Sequence, residues 1–435
     1  GNMRNSYWKF SSLCLIGMSF CPGAVFAEGG GSVEVKAPAA DVPTPAPAAS
    51  EGLLMSLLGP VGVGDLLKKG SINVYGYSEA GIMYDTTATR NGMGPTFVGF
   101  NYFKNTPMLN KVSLNVERTV DPTKKQFDIG FHAETLFGSD AKFIHSNGLM
   151  DKQTGRYQWD LLQAYIDLAF PCLPMKLRVG KWIGLAGFEQ FSANIYGAFG
   201  DPSRALYSYS YQFLYAEPST QTGALLTYVL NPKLTFDAGI TEGWNQSIKD
   251  ANHVPDFLGR LIYTPTDKTS VIFVMTEGPE FPIGAGRNLP SGDCSHWWNA
   301  FDLVVTHKVT QKWSLGAGMD YVQTPRIPGY TGGSKQWGGF AGYSSYALNQ
   351  YFTLNTRAEW YGDGSKGFST GNAGGTNANY IEVTQGVAIK PFPQNNVLSR
   401  LLIRPEVRCD ISDHAVFAQG QHNQVTLSAD ALFTF

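Results

Sequence analysis

From Ser71 to the C-terminus apolar residues alternate with polar or small ones, the two-residue period of a strand with two unlike faces. In 312–321, Trp313, Leu315, Ala317, Met319 and Tyr321 share one face, and Ser314, Gly316, Gly318 and Asp320 share the other. In 351–361, Phe352, Leu354, Ala358 and Trp360 oppose Thr353, Asn355, Arg357 and Glu359. The sharpest case is 403–411, where Ile403, Val407, Cys409 and Ile411 face one way and Arg404, Glu406, Arg408 and Asp410 the other. Continued along the chain, the pattern predicts sixteen strands: 72–85, 109–119, 125–137, 157–169, 174–184, 221–230, 233–245, 255–265, 268–278, 298–309, 312–324, 336–348, 351–362, 378–390, 398–412 and 424–435.

A soluble sandwich also alternates, so the connections decide. They run long and short in strict turn. The short ones carry turn residues such as Asp121-Pro122, Asn231-Pro232, Pro265-Thr266-Asp267 and Pro393-Gln394-Asn395. Short turns at one end, long loops at the other and an even number of antiparallel strands describe a transmembrane β-barrel. Strands of about ten residues are long enough to cross a bilayer at a tilt. No run of about twenty apolar residues follows residue 27, so spanning helices are not expected. The expected fold is therefore all-β: an antiparallel barrel of about sixteen strands over 71–435. The third long connection, 185–220, is expected to fold toward the lumen.

Composition fits this reading. Charged residues make up 16% of the chain, against about 25% in ordinary soluble domains. The formal net charge of −2 and the absence of a basic block argue against nucleic acid as a partner. Residues 3–27 (MRNSYWKFSSLCLIGMSFCPGAVFA) read as a secretory signal peptide, with Arg4 and Lys9 before an apolar stretch. Cys21 follows Ser19-Phe20 and lacks the small residue a lipid-anchor signal needs. Residues 28–51 form an Ala/Pro/Gly-rich linker. The segment 52–70 has a leucine-rich helical face broken by Pro60 and glycines. It is read as packing inside a barrel, lying at a membrane interface or mediating assembly. Beyond the signal only Cys172, Cys294 and Cys409 remain, too far apart for a zinc spacing or a disulfide framework. Packing is the default reading for them, with a single disulfide as the alternative.

The last strand ends on an apolar row, Val425, Leu427, Ala429, Ala431, Phe433 and Phe435. That ending resembles the C-terminal signal recognised by the bacterial barrel-assembly machinery, and points to the bacterial outer membrane and its lipids. A more specific likeness lies in VGKWIGLAGFEQF (179–191), Asn194, YSYSYQFLYAEPSTQTG (207–223), TYVLNPKL (227–234) and ITEGW (240–244). With VYGYSEAGIMYD (74–85) and LLQAYIDLAFP (161–171), these stretches resemble the OmpL-like β-barrel porin family. The resemblance covers most of 72–280; the C-terminal third matches only in general barrel character. It implies an outer-membrane pore for small polar solutes and fixes no particular solute. Analogy with sixteen-stranded porins suggests a homotrimer.

Two sets of residues are candidates for the pore. Charges on the polar faces are expected to line the lumen, because a basic residue facing lipid costs about 2–4 kcal/mol near the midplane. They are Asp128, His132, Glu134, Arg178, Arg357, Glu359, Arg404, Glu406, Arg408 and Asp410. The alternating signs of 404–410 favour cross-strand ion pairs that stiffen the wall over a solute path, and neither sign dominates. In the third long connection Glu189, Asp201, Arg204 and Glu217 are candidates for a constriction, or else for holding the loop together. Trp244, Trp297, Trp298, Trp313, Trp337 and Trp360 fall near strand ends and are expected in interface girdles; a sugar-stacking track is the alternative. The histidines are scattered without metal-ligand spacing, and Cys294-Ser295-His296 has no third partner. Neither metal nor cofactor is expected, and the chain is not read as an enzyme. Passive diffusion is the leading function. A channel specific for a sugar or organic anion, or a structural or adhesive barrel, is the alternative.

Overall fold

The computed structural model describes residues 52–435 apart from 61, 87–98, 102, 104, 192–204, 251–252, 281–296, 326–332 and 373–374. The strands are β1 (Asn73–Asp85), β2 (Met108–Arg118), β3 (Asp128–Gly138), β4 (Gln158–Ala169), β5 (Met175–Ile183), β6 (Thr220–Asn231), β7 (Leu234–Thr241) and β8 (Asp256–Thr266). They continue as β9 (Thr269–Pro279), β10 (Trp297–Lys308), β11 (Trp313–Thr324), β12 (Lys335–Ala347), β13 (Phe352–Asp363), β14 (Ala378–Ile389), β15 (Leu401–Ser412) and β16 (Asn423–Thr434). Each pairs antiparallel with the next, and β16 returns to β1, so the sheet is a closed barrel of sixteen strands.

The seam between first and last strands runs from Tyr77 opposite Thr434 to Asp85 opposite Thr426. Gly76 and Phe435 extend it by exchanging hydrogen bonds, Gly76 N–H to Phe435 O at 2.9 Å and Phe435 N–H to Gly76 O at 2.8 Å. A Cβ at Gly76 would sit 2.3 Å from the Phe435 ring and 2.4 Å from the Ser113 carbonyl. Only glycine fits where the chain end packs.

Alternation places apolar and polar rows opposite to a soluble core. Ile381, Val383, Trp360, Phe340, Leu427 and Ile411 are among the exposed apolar side chains, while their strand neighbours Glu382, Glu359, Asp410, Thr384 and Thr426 are buried. The outward surface is therefore apolar and the inward one polar, as lipid outside and water or protein inside require. No helix among the described residues is long and apolar enough to cross a membrane.

The expected sixteen strands all occur, with ends displaced where backbone leaves the ladder. The fifteenth begins at Leu401 rather than 398 because Leu398–Arg400 winds into a 3-10 turn. The seventh stops at Thr241 rather than 245 because Gly243 and Asn245 adopt positive φ, 102° and 54°. The third begins at Asp128 because Pro122–Lys124 forms a 3-10 turn closed by left-handed Lys125.

The expected tryptophan girdle is half right. Trp297, Trp313 and Trp360 are exposed, but Trp298 and Trp337 are buried on the inward face, with Trp244 packed against them. Trp297 and Trp298 are consecutive in β10, so the pleat sends them to opposite sides of the sheet. Cys172 and Cys409 are free thiols, which removes the disulfide reading between them; Cys294 lies outside the described residues, as do 3–27 and 28–51.

Before β1, the leucine-rich segment forms α1 (Leu53–Leu58) and α2 (Val63–Lys69), separated at Gly59-Pro60. Arg118 Nε, at the end of β2, donates to the Gly70 carbonyl at 3.1 Å, which holds the segment at the short-turn end.

If the Val383 row faces lipid, Val383→Arg should destabilise the barrel by about 2–4 kcal/mol. The measurement is urea titration of the protein refolded in lipid vesicles. An unchanged midpoint would mean that this row is not in hydrocarbon.

Candidate functional site

The inward charges of β13–β15 do not simply pair with one another. They hold the backbone of the third long connection, which leaves the barrel wall at β5 and returns at β6. Its stretch 205–212 makes no sheet, so its N–H and C=O groups need other partners. Carbonyl acceptors come first: Ala205 O takes Asn355 Nδ2 at 3.1 Å, Leu206 O takes Arg404 Nη1 at 3.0 Å, Ser208 O takes Arg357 Nη1 at 2.9 Å and Tyr209 O takes Arg408 Nη1 at 2.6 Å. The N–H groups find carboxylates. Tyr207 and Ser208 donate to the two oxygens of Glu406 at 2.8 and 3.0 Å, and Tyr211 and Gln212 to those of Glu359 at 2.7 and 2.8 Å. The alternating signs of β15 thus match the alternating donors and acceptors of an irregular backbone.

Side chains complete the clamp. Arg357, fully buried, bonds Glu189 at 2.7 Å and Glu382 at 2.9 Å, so one guanidinium joins the connection to two strands. Arg404 forks onto Asp430 and Arg408 onto Asp410, while Tyr211 Oη donates to Asp410 Oδ1 at 2.9 Å. A short helix, α3 (Ala141–Ile144), follows β3. The stretch itself ends in α4 (Tyr211–Tyr215), capped by Ser210, whose side chain accepts from Phe213 N–H. At the other side Lys111 lies over the Phe191 ring at 4.1 Å, donates to Tyr209 Oη at 2.8 Å and sits 3.5 Å from both Glu79 and Asp140. Burial, and after it the Glu79 charge, push the Asp140 carboxyl up to about 6 against the pull of Lys111.

The remaining pore-lining candidates are local wall pairs. Arg178 binds Asp167 with two N–H groups, at 2.8 and 3.0 Å, and stacks on Tyr165. Glu134 accepts from Ser113 Oγ at 2.7 Å and Gln163 Nε2 at 2.8 Å. His132 lies between Asn115 and Tyr165. Asp128 differs: it is half exposed at the short-turn end, paired with Arg118 at 2.8 Å. Of the constriction candidates, Glu189 joins the clamp; Asp201 and Arg204 lie outside the described residues.

Glu217 stands apart from the arginines. It meets Asp302 of β10 and Asp320 of β11, with one oxygen from each within 4.8 Å of the others. Burial, and after it the charges of Asp302, Glu189 and Glu359, raise the Glu217 carboxyl well above the ordinary range. Patterning did not single out Asp302, Asp320, Lys111, Glu382 or Asp430. Their polar-face positions were visible, but nothing in the strand period says which charge meets the connection.

At the long-loop end, inward Trp298 packs edge-on against Trp337 with centroids 5.1 Å apart, and Tyr211, Tyr361, Tyr380 and Phe417 join the same cluster. With Trp337 only 3% exposed, these rings form a core rather than an open stacking track.

The family described as "Putative beta-barrel porin-2, OmpL-like" matches residues 71–435. Among solved structures the chain resembles the outer membrane channel DcaP of Acinetobacter baumannii at 10% identity and TM-score 0.54, over 84% of this chain and 97% of that one. It also resembles an anion-selective porin from Comamonas acidovorans at 10% identity and TM-score 0.53, over 84% and 99%. OprB of Pseudomonas putida aligns at 12% identity and TM-score 0.51, over 86% and 97%. At such identities these likenesses concern the fold. No curated protein matches the sequence.

Removing Arg357 strands Glu189 and weakens the hold on Glu382. Arg357→Ala should cost about 3–5 kcal/mol, the loss expected when one partner of a buried pair is deleted. Asp128→Asn, at an exposed pair, should cost no more than about 1 kcal/mol. Denaturant unfolding of the refolded proteins compares the two; equal losses would mean that Arg357 is not an anchor.

Proposed function

The chain belongs to the OmpL-like beta-barrel porin-2 family and is an outer-membrane porin channel, and from that premise we propose that small polar solutes cross it by passive diffusion past a constriction made by the third long connection. One observation carries this reading: backbone rooted in β5 and β6 is hydrogen-bonded along 205–212 by side chains of β13 and β15. Those strands lie far around the circumference from β5 and β6. A segment so held narrows the passage and sets its polarity, as charged groups across a water-filled opening sort solutes by size and sign. The inward charges are then holders and lining, not reagents. Glu189, Arg357, Glu359, Arg404, Glu406, Arg408 and Asp410 fix the constriction, and His132, Glu134 and Arg178 stiffen the opposite wall.

The same reading assigns the rest of the chain. Residues 3–27 direct export, 28–51 form a linker, and 71–435 span the bacterial outer membrane with the exposed apolar rows against lipid. Phe435 closes the terminal strand and presents the aromatic end that barrel-assembly machinery takes up. A homotrimer is the assembly proposed for this barrel.

In planar bilayers the protein should conduct, and replacing 205–212 by a short Gly-Ser linker should raise single-channel conductance about twofold or more. Unchanged conductance in that variant would sink the constriction, and a wild-type protein without conductance would sink the open channel. Block by a sugar or organic anion at modest concentration would indicate a solute-specific channel instead.

A further inference from the structure

We propose that Glu217, Asp302 and Asp320 form a binding site for a calcium-sized divalent cation, which ties the C-terminal end of the third long connection to the β10–β11 wall. Two adjacent strands and a distant connection deliver these carboxylates. Asp302 and Asp320 are paired directly across the β10–β11 ladder, and Glu217 descends on them from the connection. Like charges placed opposite each other in a sheet repel, so the arrangement calls for a positive partner.

Among the described residues no lysine or arginine supplies one. The ion pairs between interior strands lie on β1–β5, β7–β8 and β13–β16, and none includes these three groups. The further charges that act on Glu217 are Glu189 and Glu359, which are also acidic. Those two already have partners, Arg357 for Glu189 and the Tyr211 and Gln212 N–H groups for Glu359.

A second observation is independent of the clustering. Asp302 is 3% exposed, yet neither of its carboxylate oxygens accepts a hydrogen bond of normal geometry, and the same holds for Oδ1 of Asp320. Buried carboxylate oxygens are ordinarily satisfied. The Gly187 N–H is the backbone donor that approaches Asp302, and buried oxygens so thinly supplied, beside two further carboxylates, are what a bound cation would complete.

Position 187 is shaped to the same end. Gly187 has φ +91°, and a Cβ there would fall 1.8 Å from Oε2 of Glu217. Glycine leaves the room in which that carboxylate sits.

The donor set selects the cation. All three ligands are hard carboxylate oxygens, which favour Ca2+, Mg2+ or Mn2+ over softer metals. The three ligand oxygens lie within 4.8 Å of one another, a spacing that Ca–O bonds of about 2.3–2.6 Å span, and calcium accepts the irregular geometry that Mg2+, with its near-ideal octahedron, does not. Water would fill the remaining positions. With the cation bound, the connection is held from both sides: by arginines at its middle, and by metal at its end.

The test uses the full barrel refolded into detergent free of lipopolysaccharide, whose phosphates would bind Ca2+ themselves. After chelation, equilibrium dialysis with radioactive Ca2+ should find one ion per chain, and Ca2+ should raise the thermal unfolding temperature relative to excess chelator. Asp302→Asn and Glu217→Gln should each weaken binding about tenfold or more. Glu217→Gln lies outside the strands and keeps the assay usable if Asp302→Asn fails to fold. Wild-type protein that binds no stoichiometric Ca2+, or variants that bind it as well as wild type, would overturn the site. The assay reads binding and not conductance, so a conducting barrel without Ca2+ would reject the site and leave the channel standing.

Discussion

Everything in this structure depends on closure of the sheet. A membrane-spanning backbone must satisfy its own N–H and C=O groups, because hydrocarbon offers none in return. Fifteen antiparallel ladders leave two unpaired edges, and the sixteenth, between β1 and β16, removes both. The constraint reaches individual residues. Gly76 has no side chain because the Phe435 ring and the Ser113 carbonyl occupy that space. Once the wall is closed, each strand has a lipid side and an inner side, and the alternation of apolar and polar residues follows.

That is why the fold was legible. The two faces of every strand meet different media, so a two-residue period marks strands, and alternating loop lengths order them around the barrel. Strand ends were less legible because they depend on single backbone conformations. Lys125 and Asn245 take left-handed φ values of 52° and 54°, which no hydrophobic pattern encodes. The tryptophans near strand ends show a different limit. Proximity to an end suggests an interface, but parity decides the side, and Trp298 and Trp337 have inward parity.

The interior was legible by composition and not by partnership. The strand period puts Arg357, Glu359 and the alternating charges of β15 on polar faces, and in the structure these side chains are buried. Their role was read as pairing across strands, and Arg404 with Asp430 and Arg357 with Glu382 do pair that way. The second half of their coordination was invisible. Arg357 reaches Glu189, 168 residues earlier, and Glu406 takes two N–H groups from residues almost two hundred positions away. A strand pattern reports which way a side chain points and says nothing about which loop arrives there.

The clamp also explains why charged groups are used where neutral ones would pair as well. An irregular backbone segment presents donors and acceptors in no fixed lattice, so a neighbouring strand cannot satisfy it. Guanidinium groups supply several N–H donors from one side chain and carboxylates accept through two oxygens, so a few residues serve many backbone groups. Charged partners also give the stronger hydrogen bonds, which suits a segment with little sheet structure of its own. Each charge must still be balanced, because an unpaired one inside the barrel is costly. Arg357 satisfies this with Glu189 and Glu382, and Arg404 with Asp430. Among the described residues, Glu217, Asp302 and Asp320 are a place where the same balance is not met by side chains. The electrostatic logic that holds the middle of the connection therefore also identifies a point, at its end, at which protein groups alone do not complete it.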